Sequence, residues 1–173
     1  MASALDTALP DTFFRMAEDT LRVQPEVAHE WSSGRRGKRT LRIPKGDDGG
    51  FDVTIACETY GLYPFAGDWH GAPWDVNTPN MSLDDLCRDC LGFVRSLICA
   101  DSTLTVYYSN GRPFRRVLTY PLSGQSVNDR VGLLVFNYLG RRTMREFQNH
   151  HLPRRETEAT PSGGGQRFIR RTV

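Results

Sequence analysis

The chain has 173 residues and a net charge of +2, and 39% of its residues are hydrophobic and 24% charged. Such a length suits one domain with its own core, and the composition excludes collagen-like, coiled-coil and wholly disordered chains. No stretch approaches the roughly 18 apolar residues of a membrane span, so we expect no membrane partner.

The N-terminal residues predict a protein that stays in the cytoplasm. Residues 1–6 contain neither a basic start nor an apolar run, so they do not resemble a secretory signal. Disulfides are rare in that compartment, and we expect free thiols at all four cysteines, namely Cys57, Cys87, Cys90 and Cys99.

Charge is distributed unevenly along the chain. Residues 34–46 hold six bases and no acid, and residues 110–155 hold nine bases and two acids. In contrast, residues 1–33 hold six acids and two bases, and residues 47–109 hold ten acids and two bases. This alternation predicts a molecule with acidic and basic faces. Twenty of the 22 bases are arginine, which binds carboxylate and phosphate in two-point fashion, although a genome rich in G and C explains the count more simply.

The first part of the chain predicts two helices. We expect a flexible segment over residues 1–10 and then a helix that starts at Asp11, whose carboxylate can accept from the amides of the first turn. Pro25 forces a break. Beyond it, Val27 and Trp31 have the i, i+4 spacing of a short second helix.

Residues 34–46 are basic and rich in glycine, which predicts an exposed break that ends in a turn at Asp47–Gly50. Residues Phe51 to Tyr60 alternate between apolar and polar side chains, as in a half-buried strand. Leu62 to Phe65 extend this strand, and Pro64 places the extension at an edge, because proline has no N–H for a sheet ladder.

Gly67 to Asn80 form a predicted loop rich in Gly, Pro, Asn and Asp. Ser82 and Asp85 then have the spacing of a helical capping box. Apolar residues follow at helical spacing from Leu83 to Ile98, which predicts the most regular helix of the chain.

Strands dominate the next part of the sequence. Two β-rich runs, Thr103–Tyr108 and Phe114–Tyr120, flank the Asn110-Gly111 pair, which is typical of a type I′ hairpin turn. A polar loop is predicted over residues 123–130. The nearly all-apolar run Val131–Leu139 predicts a central strand.

A second turn at residues 140–142 leads to Thr143–Asn149, for which we predict a returning strand rather than a short helix. The order of elements is helix, strand, helix, hairpin, hairpin. It predicts an α+β fold in which an antiparallel sheet, built largely from two hairpins, carries two helices on one face. We assign residues 11–152 to this single domain and residues 153–173 to a disordered basic tail.

Cysteine and histidine patterns do not predict a metal or cofactor. Cys87 and Cys90 form a C-x-x-C, but both lie on the apolar stripe of a predicted helix, where core packing is their simplest role. A zinc site needs further ligands. His150 and His151 are adjacent on a predicted strand and would point to opposite faces.

The loop with two tryptophans is the first candidate site. Trp69 and Trp74 can anchor a protein interface, and His70 lies between them. Asp68 and His70 also offer the carboxylate and imidazole of a general base. A purely structural role, with both indoles folded over the sheet, stays open.

Arginine-rich segments are the second candidate. Arg35 and Arg36 lie in the basic break and could contact an anionic partner. Six more arginines would join them if the hairpin tips cluster: Arg112, Arg115, Arg116, Arg141, Arg142 and Arg145. Nucleic-acid binding requires such a patch, although the sequence has no recognisable nucleic-acid-binding motif.

The run G-L-L-V-F-N-Y-L-G-R-R at residues 132–142, with Gln148-Asn149 and His151-Leu152-Pro153 behind it, resembles a pattern in a group of small uncharacterised bacterial proteins. The similarity extends from Phe51 to Pro153 and includes the Asn110-Gly111-Arg112-Pro113 turn. It implies a bacterial origin and one compact domain, and it carries no known activity.

These observations predict a non-enzymatic protein-binding accessory module without a cofactor, for example a toxin-neutralising (immunity-type) protein. We expect Trp69, His70 and Trp74, with Arg35 and Arg36, to contact the partner protein. Two alternatives stay open, which are a nucleic-acid-associated protein that uses the arginine-rich loop and an enzyme centred on the loop that carries Asp68 and His70.

Overall fold

A computed structural model of the protein describes residues 4–34, 37–122, 125–131 and 141–153. Two α-helices and two antiparallel sheets make up this described part, which confirms the α+β prediction. The helices are α1 (Ala4–Arg22) and α2 (Leu83–Ile98). The strands are β1 (Glu30–Ser33), β2 (Arg39–Ile43), β3 (Val53–Glu58), β4 (Gly61–Ala66), β5 (Trp69–His70), β6 (Trp74–Asp75), β7 (Thr103–Ser109), β8 (Arg112–Leu122), β9 (Gln125–Val131) and β10 (Arg142–Phe147).

The larger sheet has the strand order β1-β2-β3-β4-β5, and β6 also pairs with β4. Every second residue of β3 is buried, and Val53, Ile55 and Cys57 face the core. The helices cover this face, because Phe13 of α1 and Leu97 of α2 belong to the same buried cluster. This arrangement confirms the prediction of two helices packed on one side of a sheet.

The smaller sheet has the strand order β10-β7-β8-β9. The Asn110-Gly111 turn joins β7 to β8, and both turn residues have positive φ, 51° and 77°, as a type I′ turn requires. Leu104 and Leu118 are opposite each other and face the shared core. The predicted strand after residue 142 is confirmed as β10, and it pairs with β7.

The predicted cap at the start of α2 is confirmed by its local geometry. The Ser82 hydroxyl accepts from the Asp85 amide at 3.1 Å and donates to the Asp85 carboxylate at 2.6 Å. This reciprocal pair fixes the start of the helix at the predicted place. In the described ranges, neither helix combines the length and the apolarity of a membrane-spanning segment.

The start of α1 was predicted seven residues too late. The helix begins at Ala4, runs through Pro10 and contains Asp11, so residues 4–10 are helical rather than flexible. Leu9 is 1% exposed and packs in the core with Phe13. This burial favours the longer helix although Pro10 removes one internal hydrogen bond.

The predicted second helix is wrong, because residues 23–29 form turns and Trp31 lies in β1. Trp31 pairs with Leu41, and its ring lies edge-on to Phe14 with a centroid distance of 4.8 Å. These contacts with β2 and α1 outweigh the weak local preference for a helical turn.

Three predicted connections contain strands. The basic break at 34–46 includes β2, the loop at 67–80 includes β5 and β6, and the polar loop at 123–130 includes all of β9 except its last residue. Residues 62–65 belong to β4, a separate strand that turns back onto β3. β4 is not an edge strand, but β5 and β6 pair only with its two ends and leave Pro64 between them. Of the predicted strand Val131–Leu139, the structure describes only Val131. Of the predicted tail, it describes only Pro153.

Candidate partner-binding surfaces

Trp69 and His70 point to opposite faces of the larger sheet. Trp69 is only 1% exposed, whereas His70 is exposed beside Phe65 on the face that the helices do not cover. The alternation of side chains along a strand separates these neighbours. Trp69 is therefore a core residue, and the prediction that its indole contacts a partner is wrong.

Trp74 lies at the junction between α2 and the two sheets. Its ring centroid is 5.3 Å from that of Phe93 in α2, and Phe93 is 4.9 Å from Tyr120 in β8. All three rings are half-buried. The first pair is tilted and the second is edge-on, and aromatic contacts of this kind stabilise a pair by about 0.5–1.5 kcal/mol beyond its burial. The contacts assign Trp74 a packing role that links helix and sheets.

Asp68 does not act together with His70. Its carboxylate binds the guanidinium of Arg116 at 3.2 Å, and no hydrogen bond or ion pair joins Asp68 to His70. The acid–base pair that motivated the enzyme alternative is therefore not assembled in this structure. Arg116 lies on the core side of β8, the face that also carries Arg145, and its guanidinium group turns to Asp68.

The bases of the larger sheet are paired with carboxylates. Lys38 binds Glu58 at 2.7 Å, and Arg39 binds Asp11 at 2.8 Å. Arg42 donates to Asp52 at 2.8 Å, which holds the pKa of Asp52 below its usual value. This part of the basic segment is thus neutralised within the fold. Arg35 and Arg36, the predicted partner contacts, lie outside the described residues.

The smaller sheet carries a different set of bases, which we name the arginine patch. Its members come from the start of β8 and from β10 with the residue before it: Arg112, Arg115, Arg141, Arg142 and Arg145. Arg112 and Arg142 both pair with Ser109, so β7 alone separates them, and their Cα atoms lie roughly 10 Å apart. Among the described residues, no carboxylate forms an ion pair with any of the five. Four are exposed and Arg115 is half-buried.

Two aromatic rings hold guanidinium groups of the patch in place. The Arg115 guanidinium lies 5.3 Å from the ring centroid of Tyr107, and that of Arg145 lies 5.9 Å from Tyr108. Such cation–π contacts stabilise an exposed pair by about 0.5–1 kcal/mol and leave the N–H donors at the guanidinium edge free. These guanidinium groups are therefore partly ordered before a ligand arrives. Because Tyr107 and Tyr108 are neighbours in β7, the two contacts lie on opposite faces of the sheet, so Arg115 shares its face with Arg112 and Arg142, and Arg145 lies on the other face.

The cysteines have no reactive geometry. Cys57, Cys87 and Cys90 are buried where α2 meets β3, and all four cysteines are free thiols. Burial raises the pKa of Cys57 to about 12 and that of Cys87 to about 11, and it raises the pKa of Cys90 as well. The thiols remain protonated at neutral pH and pack as small apolar groups, as the helical stripe predicted.

Histidines also have separate environments. His150 is exposed, whereas the His151 ring lies against Gly46. Over the part of the chain that the structure describes, no three His, Cys, Asp or Glu side chains lie close enough to share a metal ion.

Comparisons with known proteins give no match, since no family model, no curated protein and no solved structure is significantly similar to this chain. The resemblance at residues 132–142 therefore stays a prediction. Most of that run lies outside the described residues.

Sequence reasoning named the members of the arginine patch but not its organisation. The hairpin tips do cluster, and the patch excludes Arg116 because that side chain turns to Asp68. The part played by Tyr107 and Tyr108 was missed. The sequence does contain a signal for these contacts. Tyr107 and Tyr108 come just before the Asn-Gly turn, and arginines follow just after it, so the two runs lie on paired strands whose side chains interact directly.

Proposed function

We propose that the chain is a non-enzymatic binding module and that an acidic surface of another protein docks on the arginine patch. The observation that carries this proposal is the set of arginines without a carboxylate partner among the described residues, of which Arg112, Arg115 and Arg142 share one face of the smaller sheet. Guanidinium forks bind carboxylates at two points, which gives both orientation and affinity. An accessory or toxin-neutralising protein would use such a surface.

The contrast with the larger sheet supports this proposal. There, the described bases of residues 38–45 each have a carboxylate within 3.0 Å, as for Lys38 with Glu58 and Lys45 with Asp48. Unpaired charges of one sign on a sheet raise the potential that steers an oppositely charged partner and speeds its association. Docking through the arginine patch should therefore weaken with added salt.

Nucleic-acid binding is the second candidate, because the same guanidinium forks bind phosphate. One face of each of two tyrosine rings, Tyr107 and Tyr108, is occupied by a guanidinium group. Those faces are not available for base stacking, which supplies much of the affinity for single strands. This geometry favours a protein carboxylate surface over a nucleic acid.

The test compares three full-length proteins that differ only in exposed arginines. The patch variant carries Arg112→Ser with Arg141→Ser, and the control variant carries Arg22→Ser with Arg95→Ser on the two helices. All four side chains are exposed, and both variants lose two positive charges. Each protein is immobilised and exposed to nuclease-treated lysate. We expect the wild type and the control to retain the same acidic protein and the patch variant to lose it.

Defined probes separate the two candidates. Fluorescence anisotropy with an oligoglutamate peptide and with a single-stranded oligothymidylate is measured over a salt series. Tighter peptide binding, lost in the patch variant, supports the proposal. Tighter oligonucleotide binding would favour the second candidate, with a log–log salt slope that falls by about 1.4 when two phosphate contacts are removed. Equal behaviour of patch and control variants would refute both uses of the patch.

A further inference from the structure

Among the described strands, β10 is an outer strand of the smaller sheet. Over the described residues it pairs only with β7, and its residues from Arg142 to Glu146 are all exposed. Met144, at the centre, is 60% exposed. Open edges are templates for pairing with a further strand, and natural proteins usually protect them.

Backbone hydrogen bonds show which groups of β10 point outward. The Asn110 amide donates to the Arg141 carbonyl at 3.0 Å, so the backbone carbonyl of Arg141 points towards the chain of β7. Because hydrogen bonding alternates along an antiparallel pair, the N–H and C=O groups of Arg142, Met144 and Glu146 point away from β7. The next residue of this series, Gln148, donates its amide to the Gly49 carbonyl at 2.8 Å. Within the described part of the chain, the edge is thus closed at Gln148 and open from Arg142 to Glu146.

The open part of the edge is complementary to itself. If two copies meet antiparallel about Met144, then Met144 lies opposite Met144 of the other copy, and Arg142 lies opposite Glu146 at both ends. All these residues direct their backbone groups outward, so the register forms hydrogen-bonded pairs along its whole length. Residues of the same parity share one face of a strand, which places each Arg142 beside the opposing Glu146.

We propose that the protein forms a symmetric homodimer through antiparallel pairing of its two β10 strands. The pairing joins the two smaller sheets into one continuous sheet, with an isologous interface about Met144. Two features of β10 fit this partner better than an unrelated strand. Arg142 and Glu146, both exposed and without an ion pair among the described residues, satisfy each other across the axis. The exposed Met144 side chains cover each other.

The dimer shares Arg142 with the arginine patch, but the two proposals are tested by different variants. The variants of that test, at Arg112 and Arg141, leave Met144 and both charges of the open edge unchanged. The antiparallel arrangement also places the Arg112–Arg142 end of each sheet beside the Glu146 end of the other. Arg142 belongs to both the edge and the arginine patch, so the dimer gives Arg142 a carboxylate partner and leaves Arg112, Arg115 and Arg141 of each patch available.

Charge reversal tests the register directly. Sedimentation velocity of the full chain is measured over a concentration series for the wild type, Arg142→Glu, Glu146→Arg and the double variant. Each single change places like charges opposite each other at both ends and should weaken dimerisation at least tenfold. The double variant should restore the wild-type dimer. An equimolar mixture of the two single variants should form a heterodimer, because its charges are again complementary.

Arg112→Glu is the matched control, because it makes the same change of charge in β8, two strands from the edge. It should leave dimerisation unchanged. Circular dichroism and urea unfolding of each variant check that the fold is intact. A wild-type protein that is monomeric up to its solubility limit would overturn the proposal. A dimer that both single variants preserve, or a mixture of folded single variants that stays monomeric, would overturn it equally.

Discussion

Asn149 joins three parts of the chain that are far apart in sequence. Its side-chain oxygen accepts from the Phe51 amide at 3.0 Å, and its Nδ2 donates to the carbonyls of Phe51 and Leu97, both at 3.0 Å. Asn149 is 1% exposed, so water cannot replace these bonds. Substitution of Asn149 by Ala should therefore destabilise the whole domain rather than one loop.

The expected loss of stability in Asn149→Ala follows from the number of hydrogen bonds that the Asn149 side chain makes. Each internal hydrogen bond contributes about 1 kcal/mol net, so three lost bonds lower the free energy of unfolding by about 3 kcal/mol. For a chain of this size, that loss corresponds to a fall in melting temperature of roughly 6–12 °C. The isosteric Asn149→Asp keeps the acceptor but places a carboxylate beside two carbonyls. At neutral pH, Asn149→Asp should lower the free energy of unfolding about as much as Asn149→Ala does. In acid the loss of stability should be smaller, because the protonated carboxyl group can donate a hydrogen bond again.

Urea unfolding followed by circular dichroism measures this free energy for the wild type, Asn149→Ala and the control Asn77→Ala. Asn77 is exposed and, among the described residues, its side chain bonds to the nearby Asp75 alone, so its substitution should lower the free energy of unfolding by less than about 0.5 kcal/mol. If Asn149→Ala lies within 0.5 kcal/mol of this control, the reasoning about buried bonds is refuted.

A second substitution tests the same geometry without removing a bond. A Cβ atom at Gly50 would lie 2.5 Å from the Asn149 oxygen, so Gly50→Ala should destabilise the wild type. In the Asn149→Ala background that contact is absent. In that background, Gly50→Ala should lower the free energy of unfolding by less than it does in the wild type. A double-mutant cycle should therefore give a coupling free energy above about 0.5 kcal/mol. Additive costs would contradict the close approach.

Three further predictions concern the thiols, acid stability and the glycines. Burial raises the pKa of Cys57 to about 12, so a thiol reagent should label the native protein slowly at neutral pH and rapidly once urea unfolds it. A hydrogen bond from Arg42 lowers the pKa of Asp52 below 3.8, so its ion pair stabilises the fold above that pH and is lost as pH falls through the lowered value. Asp52→Asn should therefore reduce the acid-induced loss of unfolding free energy below about pH 4, measured by urea titration at several pH values. Gly92→Ala in the open middle of α2 should raise the free energy of unfolding by about 1 kcal/mol, whereas Gly111→Ala, at φ 77°, should lower it by about 1 kcal/mol.

Local signals predicted the elements whose geometry depends on few residues. The Ser82 cap and the Asn110-Gly111 turn were correct because side-chain acceptors and positive φ are requirements of adjacent residues. Strand β2 was missed because four of the six bases in residues 34–46 surround its two core residues, Leu41 and Ile43. The structure tolerates charge there because partners from other elements neutralise it, and sequence spacing does not reveal those partners.

The candidate site was predicted less well than the fold, for a related reason. Tryptophan in a polar loop is a common feature of interfaces, but Trp69 is buried because β5 adds to β4 and turns the indole inward. A two-residue strand has no detectable period, so the inward direction depends on tertiary pairing. The exposure of His70 follows from the same pairing.

The distribution of ion pairs bears on the choice between genomic bias and function as the origin of the arginines. A bias towards G and C raises arginine content at every tolerant position, whatever surrounds that position in the fold. The described bases of the larger sheet have carboxylate partners drawn from the acidic segments on either side in sequence, as in Arg39 with Asp11 and Arg42 with Asp52. Among the described residues, arginines of the patch contact two tyrosine rings and form no ion pair with a carboxylate. Bias accounts for the amount of arginine but not for this segregation, and the segregation is the feature that an anion-binding surface requires.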